Sequence, residues 1–118
     1  MSLVYEVTEP MSTFFLFTLS EMLESLTDNR PIVIGLEIFA GFDEVGSDGL
    51  VPMPSPSDIS LGGHAMVIVG YNQTARTFTA KNSFGKGWGD NGYCYLPWEY
   101  VRLYVFEKWR FEISDQSS

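Results

Sequence analysis

Two side chains in this sequence could do chemistry together. The only histidine, His64, lies in GGHAMVIVGY (62–71), and Asn82 lies in KNSFGKGWGDNGY (81–93). An imidazole held by a carboxamide is suited to thiol chemistry. The attacking species is a thiolate, and a neighbouring imidazolium lowers the thiol pKa. The ring needs a fixed tautomer and orientation, which an amide oxygen supplies without adding charge. Asn82 can accept from one ring N–H and leave the other nitrogen facing a nucleophile. Phe84 and Trp88 follow in a Gly-rich turn and can cover that bond, and excluding water strengthens it. The sole cysteine, Cys94, lies in Gly92-Tyr93-Cys94-Tyr95-Leu96, a strand pattern. It reads as a small buried apolar residue and not as the thiol.

The elements that must position the pair follow from spacing. Residues 65–71 form an almost continuous apolar run rich in Val and Ile, a buried strand. Asn72-Gln73-Thr74-Ala75 is a short polar hairpin loop. From Arg76 to Lys81, Phe78 and Ala80 alternate with Thr77, Thr79 and Lys81, a half-buried strand. Folding the chain antiparallel about Gln73 sets position 64 opposite position 82, and direct cross-strand partners share a face at roughly 5 Å between Cβ atoms. A slip of one residue would turn the two side chains to opposite faces.

Elsewhere, Val4–Val7 reads as a short strand, and Phe14–Phe17 is apolar throughout. Thr18-Leu19-Ser20-Glu21 is a capping box opening a helix. Its buried stripe is Leu19, Met22, Leu23 and Leu26. Residues 32–39 are a strand, and 40–60 a long Gly/Pro/Ser/Asp loop. Residues 61–71, 76–83 and 92–96 are strands, 97–101 a turn of helix, and 103–113 a closing strand. Residues 114–118 read as a frayed tail. One helix and five or six antiparallel strands give an α+β, mostly antiparallel fold: a small, partly open barrel in one domain, 1–118.

At 118 residues, a 45% hydrophobic and 15% aromatic content argues for a folded core and against disorder. The net charge of −8 disfavours nucleic acid and anionic membranes as partners. No apolar stretch is long enough for a membrane span. The glycines at 85, 87, 89 and 92 read as turn residues with positive φ, not as a phosphate loop, because no helix follows. No metal site and no cofactor is expected; the acidic residues from Asp43 to Asp48 read as a solvated loop.

GGHAMVIVGYN resembles the histidine motif of papain-like cysteine peptidases. KNSFGKGWGDNGYCYLP resembles their asparagine motif, KNSWGxxWGxxGY, with Phe84 where a tryptophan is usual. PIVIGL (31–36) resembles the strand before the histidine loop. VPMPSP before GGHA and LPWEYV after GYCY resemble bacterial members. Together these cover roughly residues 18–113. The resemblance implies that His64 is the base and Asn82 its orienter. It also implies that Gly35 and Ala65, with Gly63 alongside, wall the pocket for the side chain two before the scissile bond. Small and uncharged, Gly35 and Ala65 leave room for a bulky apolar side chain and offer no charge to a basic one.

The family's nucleophile sits on a long helix preceded by an oxyanion-hole glutamine, and neither motif occurs here. The chain therefore reads as the C-terminal, histidine-bearing half of such a peptidase, inactive alone. Its expected partners are peptide or protein substrates and the nucleophile-bearing N-terminal half. Without that half, an apolar patch of Trp88, Phe84 and parts of 61–66 should make the chain self-associate. The alternative reading is a non-catalytic barrel module used for binding or inhibition.

Overall fold

The computed structural model describes residues 11–15 and 18–113. The expected strand at 4–7 and the frayed tail at 114–118 lie outside those residues. In chain order the elements are β1 (Met11–Phe15), α1 (Leu19–Thr27), β2 (Ile32–Phe39), a 3-10 turn (Phe42–Glu44), β3 (Ser60–Asn72), β4 (Thr77–Lys81), β5 (Tyr93–Pro97), α2 (Trp98–Tyr104) and β6 (Val105–Ile113). The strands form one antiparallel sheet in the order β1-β6-β2-β3-β4-β5.

The capping box forms as its residues dictate. The Thr18 hydroxyl accepts from the Glu21 N–H, and the Glu21 carboxylate accepts from the Thr18 N–H. A cap of this kind contributes about 1 kcal/mol. The α1 stripe differs from its pattern. Met22 and Leu26 are buried and Leu23 partly so, but Leu19 is 41% exposed and Ser25 is fully buried. Ser25 tolerates burial because its hydroxyl donates to the Arg30 carbonyl. Leu19, at the first position of the helix, lines an open groove with Met22, Arg76, Pro97 and Trp98.

The core face of the sheet is set by direct cross-strand pairs. Ile32 lies opposite Ile68, Ile34 opposite Met66, and Leu36 opposite His64. Next come Ala80 opposite Ile68 and Cys94 opposite Ala80. Ile32, Ile34, Leu36, Ile68, Ala80 and Cys94 are all fully buried, and Met66 nearly so. Burying each large aliphatic side chain contributes roughly 1.5–3 kcal/mol. The helix α2 adds Tyr100 and Val101 to this core, and the Tyr100 hydroxyl donates to the Glu37 carbonyl.

The hairpin register differs from the one the spacing predicts. Near the turn, Tyr71 pairs with Phe78 and Asn72 with Thr77. Farther along, Ile68 pairs with Ala80 and Val67 with Lys81, so Val69 is an extra residue on β3. On this register the position opposite Asn82 is 66, not 64. The turn spans four residues, 73–76, and Arg76 adopts φ 56° within it. The strand β4 therefore starts later than a hairpin centred on Gln73 requires.

Candidate active site

His64 stands on β3 with its ring turned to the core face, half-buried beside Leu36. Asn82 is the first residue after β4 and is 2% exposed. It leaves the β3 ladder, and its backbone N–H donates to the Gly92 carbonyl. The two side chains nevertheless meet, with His64 Nε2 2.8 Å from Asn82 Oδ1. Positions 64 and 66 share a face, so Asn82 reaches His64 as a diagonal neighbour, at a spacing of roughly 7–8 Å between backbone positions.

A second bond fixes which atom is which. The backbone N–H of Ser83 donates to the same Asn82 oxygen at 2.8 Å. That atom must be an acceptor, so Nε2 of His64 carries the hydrogen and donates. Nδ1 is left with its lone pair and makes no hydrogen bond to the described residues. A neutral imidazole in this tautomer is a base at Nδ1. The Asn82 amide nitrogen is buried and has no partner among the described residues.

Aromatic rings close over the pair. Phe84 lies 5.2 Å from the His64 ring and Phe42 5.7 Å from it. Trp88 packs on both, at 5.6 and 5.1 Å. Phe84 is 45% exposed and forms the outer wall, whereas Trp88 is 5% exposed and lies beneath. The expectation that Trp88 belongs to an exposed patch is therefore corrected. Its indole N–H donates to the Phe42 carbonyl at 2.8 Å, and the Gly89 N–H donates to the Val45 carbonyl. These two bonds tie the loop after β2 to the loop after β4. Phe42 is the site residue that the sequence pattern missed. Its only signal was an aromatic inside a loop of 21 residues, 40–60, too long to be structureless by accident.

Cys94 is not part of this arrangement. It lies on β5, fully buried opposite Ala80. Burial pushes its thiol pKa up to about 12, the opposite of what a nucleophilic thiolate requires.

Gly35 and Ala65 are direct cross-strand partners, on the sheet face opposite the His64 ring. Ala65 helps line a cavity of about 200 Å³ with Val33, Val67, Lys81, Asn82 and Ser83. The space over Gly35 is not open. A Cβ there would lie 2.8 Å from the Phe106 ring and 3.1 Å from Glu107 Oε1. The same ring approaches the corresponding point over Gly63 at 3.4 Å. Phe106 is the extra residue of β6, between Val105 opposite Leu36 and Glu107 opposite Gly35. A bulge re-aims a side chain in this way. The expectation that no charge stands beside Gly35 is corrected, because β6 pairs with β2 and brings Glu107 alongside.

An antiparallel sheet that presents a hydrogen-bonded histidine–asparagine pair under aromatic cover is consistent with part of a cysteine-protease fold, and among the described residues no thiol stands beside the pair. Residues 10–102 match the papain family cysteine protease domain, and the chain belongs to that family. It is 42% identical over 79 residues to an uncharacterised peptidase C1-like protein of Acanthamoeba polyphaga mimivirus, covering 65% of this chain and 25% of that protein. It superposes on xylellain, a cysteine protease from Xylella fastidiosa, with a TM-score of 0.69 and 28% identity, over 76% of this chain and 35% of that one. Procathepsin B S9 from Trypanosoma congolense shares the fold, with a TM-score of 0.62 and 17% identity over 90% of this chain and 36% of that one. The chain thus spans about a quarter to a third of the length of these relatives. No helix among the described residues is long and apolar enough to cross a membrane.

Proposed function

We propose that this chain, read as a single barrel subdomain, is the C-terminal half of a papain-like cysteine peptidase. In this reading it supplies the base and its orienter for peptide-bond hydrolysis by a cysteine on the other half. The observation that carries the proposal is the bond from His64 Nε2–H to Asn82 Oδ1, whose direction is fixed by the Ser83 N–H. It leaves Nδ1 to take the proton from the attacking thiol and later return it to the leaving amine. Phe84, Phe42 and Trp88 keep water from the Nε2–H bond, so the ring keeps one tautomer through both steps. The expected partners are peptide or protein substrates and the nucleophile-bearing half.

The substrate pocket is read from Gly35, Gly63 and Ala65, with Phe106 as its apolar lining. Phe106 is 61% exposed and stands at a bulge, so its ring can move aside for a bulky apolar side chain. Glu107 stands at the same place and gives a basic side chain a partner. The pocket then accepts Leu, Val or Phe and tolerates Arg.

The test is hydrolysis of a peptide library by the full-length protein. His64→Ala should cut kcat by at least about 10²-fold, the usual share of a general base. Glu107→Gln should lower the use of Arg and leave that of Leu unchanged. Unchanged turnover in His64→Ala would favour the alternative, a non-catalytic barrel module.

A further inference from the structure

Lys81 precedes the orienting asparagine and is 9% exposed, the only nearly buried cation among the described residues. No carboxylate pairs with it there. Its ammonium lies 5.2 Å from the centroid of the Tyr93 ring, its direct cross-strand partner on β5. The ammonium also presses on the turn that follows β4. A Cβ at position 92 would come within 2.5 Å of Lys81 Nζ and 3.3 Å of the Gly85 carbonyl oxygen. Gly92, at φ 91°, is therefore the residue that lets the ammonium into the turn. The stem is buried while the ammonium keeps contact with solvent, so the aromatic face acts as an exposed cation–π partner that holds it in place.

The place it occupies accounts for this arrangement. The Gly92 carbonyl accepts from the Asn82 N–H at 3.0 Å, and the Gly92 N–H donates to the Trp88 carbonyl at 2.8 Å. Trp88 in turn donates its backbone N–H to the Gly85 carbonyl. Gly92 is thus the point where the backbone of Asn82 and the aromatic cover are joined, and Lys81 and Tyr93 grip it from one side. Asn82 lies outside the β3 ladder, so this clamp holds its backbone where the ladder does not.

We propose that Lys81 is a positioning residue. By seating its ammonium between the Tyr93 ring and Gly92, it fixes the backbone of Asn82 and so keeps Asn82 Oδ1 on His64 Nε2. This deepens the functional reading above and rests on His64–Asn82 being the working pair.

The test reads the imidazole directly. His64 is the only histidine, so ¹⁵N spectra of the 118-residue chain show a single ring. Asn82→Ala should lower the Nε2–H share to that of a free histidine side chain, and this sets the full scale. Lys81→Met should shift the tautomer ratio in the same direction by at least about two-fold, the loss of one exposed cation–π contact. Lys81→Arg, which keeps a cation over the ring, should stay close to the wild type. Tyr93→Leu should act like Lys81→Met, and it decides the matter if Lys81→Met does not fold. A folded Lys81→Met with the wild-type ratio would overturn the proposal. So would a folded Tyr93→Leu with that ratio, or a Lys81→Arg as displaced as Lys81→Met. None of these readouts depends on turnover. Activity that survives His64→Ala in the full-length protein would sink the functional reading while leaving the effect of Lys81 on the ring measurable.

Discussion

Lys81 lies opposite Val67, and that pair decides where Asn82 points. Had the ladder run without interruption from Tyr71–Phe78, position 82 would fall opposite Val67, on the face away from His64. The unpaired Val69 advances β3 by one residue and returns Asn82 to the histidine face. Because side chains alternate along a strand, one residue is the difference between a pair and no pair.

Deleting Val69 should therefore leave the site intact. With the extra residue gone, Gly70–Thr79 is followed directly by Ile68–Ala80 and Val67–Lys81, and position 66 still lies opposite Asn82. The expected result is a folded chain with the wild-type His64 ring signal. Loss of that signal in a folded variant would show that Val69 does more than take up one residue of register.

The 118-residue chain alone should not hydrolyse peptides. Its only thiol is buried, with a pKa raised to about 12, and among the described residues no thiol stands beside His64. A fluorogenic peptide assay should show no turnover. Turnover that disappears in Cys94→Ser would make Cys94 the nucleophile and defeat this view.

The same thiol gives a pH dependence. Its ordinary value of 9.0 is raised by burial to about 12, so folding favours the neutral form. The stability it contributes is complete below pH 9 and falls as pH rises toward 12, by up to about 1.4 kcal/mol per pH unit. Tyr100, also raised by burial, starts to act only above its ordinary 10.0. Between pH 9 and 10, the stability of Cys94→Ala should thus fall less steeply than that of the wild type in denaturant titrations. Equal slopes would contradict the burial argument.

Two glycines of the aromatic turn should respond differently to alanine. Gly89 has φ 61°, and a Cβ there would run into the Tyr93 carbonyl oxygen, which is backbone and cannot yield. Gly89→Ala should cost about 1–3 kcal/mol. At Gly87 nothing lies within 4 Å of an added Cβ and φ is not positive, so Gly87→Ala should be within about 0.5 kcal/mol of the wild type. Similar losses at both positions would refute the steric account.

The isolated chain should self-associate through the apolar surface near the site. Ile59, Leu61, Phe84 and Phe106 are 70, 53, 45 and 61% exposed. Exposed apolar groups of this size tend to find a partner, and a two-fold dimer is the commonest solution. Sedimentation at tens of micromolar should show a dimer or larger species, and Phe84→Ser with Phe106→Ser should shift it toward monomer. A wild-type monomer at that concentration would count against the idea.

The sequence by itself determined the local elements and the identity of the pair. The capping box at Thr18 and the alternation around Phe78 and Ala80 are short-range patterns that form as read; the apolar run through Val67 and Ile68 forms a strand, but only Met66 and Ile68 of it are buried. His64 and Asn82 were legible because few residue types can orient an imidazole, and both sit in distinctive motifs. Tertiary structure alone decided the rest. The Val69 bulge has no local signal, since a Val is equally at home in a paired or an extra position. Phe42 joins the site through a bond from Trp88, 46 residues away. Phe106 and Glu107 reach Gly35 only because β6 pairs with β2. Periodicity reports which face a residue takes within its own element. It does not report which element lies next to it, and that adjacency placed a ring and a carboxylate over the glycines of the substrate pocket.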